Sequence, residues 1–210
     1  MFLSGMDVIS EWKHLLEYLR INMRARMLRG RTESVWRKLV ATRVNKAVYL
    51  DLLKQGSELW NTWKQAHPRI KVDLRFADLH ERCLSGANLR KSNLSGADLS
   101  ETNLKHVDLR DADLRETIFT WADLSRARLN HALMNRADLS GTDLSKASLQ
   151  GAALQGASLV GAYLLDTDLS EADLSGADLR GAVFIRVNMQ QVKLEGARLE
   201  KACFVETSLL

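Results

Sequence analysis

The sequence predicts a mainly β fold, a solenoid winding around its own apolar core behind a basic α-helical head. Three observations predict it. From Leu74 to Leu209 every fifth residue is Leu, Phe or Met, 28 positions in succession of which 23 are Leu, the exceptions being Phe119, Met134, Phe184, Met189 and Phe204. Two residues before each of these the side chain is small or β-branched, with 17 Ala, 5 Thr, 4 Val and Ser92, and Arg82 as the one departure. Residues 1–70 carry 13 Lys+Arg against 6 Asp+Glu, a net of +7, whereas residues 71–210 carry 17 against 20, a net of −3.

A period of five fits neither regular element. On a helix it would smear the leucines around the whole circumference, and in a flat strand an odd period would send them to alternate faces. The chain must therefore turn once per repeat, placing one large and one small residue inside each time. All nine glycines after residue 56 lie two residues beyond a central apolar residue, where a corner needs unusual φ. The residue just before the centre is Asp 11 times and Asn 4 times, short polar side chains suited to turns. The physics alone gives a coil with a corner every five residues, a Leu core and backbone bonds running between coils.

Stretches such as Ala87-Asn88-Leu89-Arg90-Lys91, Ala97-Asp98-Leu99-Ser100-Glu101 and Ala177-Asp178-Leu179-Arg180-Gly181 resemble the A(D/N)LXX unit of the pentapeptide-repeat family. The resemblance covers residues 71–210, and it implies a right-handed quadrilateral β-helix of four pentapeptides per coil, hence about seven coils and a rod of roughly 34 Å. The segment from Leu53-Lys54-Gln55-Gly56 through Trp60-Asn61-Thr62-Trp63-Lys64 to Pro68 and Asp73-Leu74 is similar to the lead-in of many cyanobacterial members.

Residues 1–70 read as the head and cap. Helical spacing of apolar residues predicts helices over roughly Asp7–Arg29 and Glu33–Gln55, ended by Gly30 and Gly56 and paired as a hairpin, with Thr32 as N-cap of the second. A shorter helix around Ser57–Gln65 brings Leu59, Trp60 and Trp63 to the first coil as a lid over its apolar layer and unpaired edge. Arg82 is expected to turn out toward that lid. At the other end the repeats run to Leu209 with one residue after them, so the coil of Leu194, Leu199, Phe204 and Leu209 is expected to be covered by a second copy. The resemblance points the same way, since family members often dimerise through that end.

Residues 20 apart should stack, so outward positions form columns. One set is apolar where Asp, Ser or Lys would be expected: Tyr163 and Leu165, Val183 and Ile185, Cys203 and Val205. A contiguous patch of that kind marks a protein interface. The second surface is the basic stretch Arg20, Arg24, Arg26, Arg29, Arg31, Arg37, Lys38, Arg43 and Lys46, opposed by Glu33 alone, which would attract nucleic acid, an acidic protein or, last, anionic lipid headgroups, or else keep the head solvated. The resemblance adds a third reading, because the family includes DNA mimics that bind type II topoisomerases such as gyrase and protect them from drugs. Asp78, Glu81, Asp98 and Glu101 do gather on one face, but Arg90, Lys91, Lys105, Arg110, Arg126, Arg128, Arg136 and Lys146 are scattered along the same rod.

Several classes are disfavoured. Cys83 and Cys203 form no disulfide framework or CxxC, and the five histidines make no metal-binding spacing. His131, Asp111 and Lys91 would share one stacked column, which reads as an exposed ladder rather than a catalytic site. The acidic group with His80 reads as solvated carboxylates. No apolar run approaches the roughly 18 residues of a membrane span, and Asp7, Glu11 and Lys13 interrupt any signal peptide. The expectation is a cytoplasmic, non-enzymatic interaction module or scaffold with no cofactor, no small-molecule substrate and no membrane partner.

Overall fold

The computed structural model describes residues 46–207. The expected helix over Asp7–Arg29, the first part of the second and residues 208–210 lie outside that range. Two helices come first, α1 (Lys46–Lys54) and α2 (Ser57–Ala66). Gly56, with φ 111°, breaks the chain between them, as its place in the sequence suggested. α1 and α2 belong to the same compact unit as the repeats.

From Asp73 onward the chain coils. Single parallel bridges link residue i to residue i+20 throughout, as in Asp73 to Asn93, Asp78 to Asp98, Cys83 to Asn103 and Asn88 to Asp108. Four pentapeptides therefore complete one turn, and the solenoid has four flat faces, named here by their first central residues Leu74, Leu79, Leu84 and Leu89. Most faces are too short to be strands. A corner every five residues leaves one residue per repeat to ladder, and among the described residues only β1 (Tyr163–Leu165), β2 (Val183–Ile185) and β3 (Cys203–Val205) extend further, pairing in parallel in that order.

Outside the three corners that follow Leu164, Phe184 and Phe204, the corners are built the same way: the amide three residues after the centre donates back to the central carbonyl, as Ala77 does to Leu74 at 3.0 Å. At Phe184 the Val187 amide donates instead to Thr207 Oγ1, at 3.1 Å. The residue two after the centre takes φ between 50° and 70° at every repeat from Leu74 to Phe204. Nine of these residues are glycine and 18 are not, among them Phe76, Trp121 and His131. Interlocking bonds to the coils on both sides hold the non-glycine corners in a conformation that L-residues otherwise avoid.

The Asp and Asn residues explain themselves here. All 15, from Asp73 to Asn188, accept a hydrogen bond from the amide two residues on, at 2.8 to 3.3 Å. This is the Asx turn, a side chain doing the work of a backbone acceptor at the corner. Tyr163, Val183 and Cys203 offer no such acceptor and are followed by aliphatic Leu165, Ile185 and Val205; there the backbone stays extended for one more residue, giving β1 to β3.

Inside, central residues from Leu74 to Met189 are buried, as are their small partners. Where the small partner is Thr its hydroxyl is bonded, Thr102, Thr117 and Thr167 donating to the carbonyls of Leu79, Leu94 and Leu144 at 2.8 to 2.9 Å. The buried Ser92 hydroxyl has no partner. Arg82 is exposed, as expected of a guanidinium that could not be desolvated at an inward position.

Candidate interaction surfaces

The start of the rod is closed by side chains that act on both its apolar layer and its polar edge. Of the residues expected to cap the first coil, Trp60 is fully buried, Trp63 is buried and Leu59 is half-buried. Tyr49, Leu52 and Leu53 of α1 are buried too. Trp60 and Trp63 lie 5.4 Å apart between ring centroids, and Tyr49 meets Trp63 edge-on at 5.4 Å.

The edge is met just as specifically. In later coils the Asn88 position donates its amide to the coil below and accepts through its carbonyl, so in the first coil both groups need other partners. Trp60 Nε1 donates to the Asn88 carbonyl at 2.7 Å, and the Asn88 amide donates to Asn61 Oδ1 at 2.7 Å. Asn61 Nδ2 donates to the Gly86 carbonyl at 2.9 Å, and Lys46 Nζ donates to that of Arg75. Lys46, grouped with the basic head on sequence, is thus engaged by the rod. Arg20, Arg24, Arg26, Arg29, Arg31, Arg37, Lys38 and Arg43 lie outside the described residues.

At the far end the same inward positions are half open. Leu194 and Phe204 are half-buried and Leu199 is 36% exposed, while Leu209 lies outside the described residues. Phe204 stacks flat on Phe184 with centroids 4.6 Å apart, and its other face has no coil above it among the described residues.

On the Leu84 face near this end, the six apolar residues expected there are brought into three stacked rungs. Tyr163 pairs with Val183 and Val183 with Cys203; Leu165 pairs with Ile185 and Ile185 with Val205. Tyr163 is 39% and Val205 42% exposed, Cys203 is exposed, and Leu165, Val183 and Ile185 are half-buried. Beside them Asp166 and Arg186 form a 2.7 Å ion pair, and the guanidinium holds the Asp166 carboxyl below its usual range.

On other parts of the rod several acids are paired with nearby arginines. Asp73, Asp108, Asp113 and Asp178 each receive the arginine two residues on, at 2.6 to 2.7 Å. The hydrogen bond from Arg75 holds Asp73 low, and that from Arg180 does the same for Asp178. Asp111 is taken by Arg90 at 3.0 Å rather than by Lys91, and the His131 ring lies against Gly151, so that column is a surface ladder. His80 Nδ1 sits 2.9 Å from Ser100 Oγ. Among the described residues no group of three or more His, Cys, Asp or Glu could hold a metal ion, and no helix is long and apolar enough to cross a membrane.

The Leu79 face holds a feature that the repeat pattern alone did not flag. Phe76 and Trp121 are corner residues, 74% and 73% exposed, and each ring lies against the backbone of the glycine one coil on. A Cβ at Gly96 would come within 2.5 Å of the Phe76 ring, and one at Gly141 within 2.7 Å of Trp121. The signal was present as an aromatic residue 20 positions before a glycine, and it becomes readable only with the coil length known.

With that geometry in view, the pentapeptide repeats family model matches in 8 copies, over residues 83–120, 122–161, 147–184, 162–200 and 172–209. This chain belongs to the pentapeptide repeat family. Known structures of the family are right-handed quadrilateral β-helices, in keeping with the four-faced coil here. Similar solved structures include a pentapeptide repeat protein of the Arabidopsis thaliana thylakoid lumen, 28% identical over 50% of this chain and 67% of that one, TM-score 0.39. HetL of Nostoc sp. strain PCC 7120, involved in heterocyst differentiation regulation, is 25% identical over 68% of this chain and 92% of its own, TM-score 0.31. QnrB1, a plasmid-mediated fluoroquinolone resistance protein, is 20% identical over 66% of this chain and 79% of its own, TM-score 0.35. No curated protein matches the chain. The assignment rests on the repeat match, and it carries no function with it.

Proposed function

We propose that this chain is a non-enzymatic interaction module of the cytoplasm that docks a protein partner on the aliphatic rungs of β1 to β3. The observation that supports this most is the contrast in surface chemistry. Along most of the rod outward side chains are polar and bonded to their own repeat, whereas Tyr163, Leu165, Val183, Ile185, Cys203 and Val205 form one continuous apolar strip. A rigid rod suits this role, because little conformational entropy is lost when a preformed face is bound.

A second reading has its own support. The half-open coil of Leu194, Leu199 and Phe204 favours a homodimer joined end to end, which would extend the core of one rod into the next. The DNA-mimic reading has less support, since Arg110, Arg115 and Arg180 neutralise the acids they touch. For nucleic-acid binding, the basic residues of the head remain the candidates.

The deciding experiment is affinity capture of the tagged protein from its native lysate, with and without nuclease, beside the Val183→Asp/Ile185→Asp variant. A protein that survives nuclease and is lost with the variant is the expected result. Recovery of nucleic acid alone, unchanged by the variant, would move the function to the basic head. Sedimentation of the purified chain, parent against Phe204→Asp, tests the dimer, and a supercoiling assay with gyrase that shows no effect at micromolar protein removes the mimic reading.

A further inference from the structure

Over its first four coils the Leu79 face differs in charge from every other. Residues 77–81, 97–101, 117–121 and 137–141 contain Asp78, Glu81, Asp98, Glu101 and Asp138 and no Lys or Arg, with His80 as the lone imidazole. Five carboxylates there exceed the net charge of −3 carried by residues 71–210, so the rest of that span is net positive by 2. On the opposite side of the coil, residues 87–91, 107–111 and 127–131 of the Leu89 face hold Arg90, Lys91, Arg110 and Arg128 against Asp108 and Asp111.

The acids of the Leu79 face are also left over. Among the described residues none of the five is paired with a lysine or arginine, and the nearest cation candidate is His80, 3.4 Å from Glu81. Their internal bonds go to neutral groups: Asp98 and Asp138 accept from the amides and hydroxyls of Ser100 and Ser140. In the midst of this charge stand apolar side chains. Ile118 is 40% exposed on the same repeat as Trp121, and Phe76 marks the opposite corner two coils below, in a column that continues through Gly96 and Glu116 to Arg136. The Gly141 and Gly96 ledges fix both rings against backbone, so each is presented without the rotamer freedom of an isolated surface aromatic.

We infer that the Leu79 face, from Phe76 to Gly141, is a docking strip for an extended protein segment that alternates arginine or lysine with apolar residues. Charge complementarity selects the occupant. Phosphate-bearing ligands meet five uncompensated carboxylates and are repelled. An arginine fits best, because its guanidinium can engage the carboxylates as a fork and lie over the open face of Trp121 as a cation on an indole. Ile118 and Phe76 supply the apolar contacts between cations. Four coils span about 19 Å, the length of roughly six extended residues. This strip is separate from the aliphatic rungs of the Leu84 face, so the inference stands whether or not those rungs are an interface.

The test uses the full chain and a fluorescent eight-residue peptide of alternating arginine and leucine, with an alternating glutamate and leucine peptide as control. The expected result is saturable binding of the arginine peptide that shifts the Trp121 indole proton, identified by its loss in Trp121→Phe. Glu81→Lys/Glu101→Lys should weaken binding at least tenfold, and Trp121→Ala should weaken it severalfold with unchanged circular dichroism. Val183→Asp/Ile185→Asp should leave it unchanged. Equal binding of the two peptides, or of parent and Trp121→Ala, would overturn the proposal by reducing the effect to general stickiness. A parent dimer in sedimentation that Glu81→Lys/Glu101→Lys dissociates would overturn it too, assigning the face to the Leu89 face of a second copy.

Discussion

The two ends of the rod begin from nearly the same repeat and finish in different states. Leu74 and Leu84 in the first coil are buried as deeply as any residue of the middle, while Leu194 and Phe204 in the last are half-buried and Leu199 lies 36% exposed. Nothing within the repeats accounts for this; all are Leu or Phe at the same pentapeptide position. The difference is α1 and α2, which bury Trp60 and Trp63 at this end and bond the Asn88 edge through Trp60 and Asn61. A solenoid stabilises each coil through its neighbours, so a terminal coil is as stable as whatever stands in for the missing one.

The comparison can be broken most forcefully at the lid. Trp60→Ala should cost about 3 to 5 kcal/mol, since it empties a fully buried site and also strands the Asn88 carbonyl. Urea denaturation followed by circular dichroism measures it. Phe204→Ala, the matched deletion at the open end, should cost about 1 kcal/mol because that ring is only partly buried. Equal losses would show that the lid is not what separates the ends.

Asn61→Ala isolates the edge from the core. It removes the donor to the Gly86 carbonyl and the acceptor of the Asn88 amide while leaving both tryptophans in place. A loss of about 1 to 3 kcal/mol is expected, with hydrogen exchange at the Asn88 amide rising more than elsewhere.

Gly86→Ala and Gly196→Ala sharpen the comparison from the other side. These glycines lie in the first and last coils with φ of 69° and 70°, and neither has an atom near a new Cβ. Each substitution should cost about 1 to 2 kcal/mol and the two should agree, because corner strain is local and ignores the lid.

Acid should touch both ends alike and least. Asp73 in the first coil and Asp178 near the last are each held low by the hydrogen bond from their own arginine. A carboxylate with a depressed folded-state pKa adds stability that is complete above its ordinary value near 4 and disappears as pH falls through the lower folded value. The urea midpoint should therefore stay flat from about pH 7 to 5 and decline below about 4, by a small amount because these pairs are exposed.

Much of this was legible in the residues. Spacing put the core at every fifth position, the glycines marked the left-handed corners, and Trp60 and Trp63 stood out as lid anchors because a coil needs a cover and no repeat provides one. The apolar rungs at 163–205 were readable as columns once four repeats per coil was assumed. The bonds made by Asn61 and Lys46 were not readable, since a single polar side chain in a helix gives no hint of which distant carbonyl it will meet. Phe76 and Trp121 escaped notice for a related reason: a corner aromatic looks accidental until the glycine 20 residues on is seen beneath its ring.

The sequence by itself determined the repeat, its inside and outside, and the corners, because each depends on a residue and its neighbours within five positions. Tertiary structure alone decided which corner rings are laid against backbone and which end of the core is closed. Those are relations between residues 20 or more apart, where the outcome depends on the coil on which a side chain comes to rest.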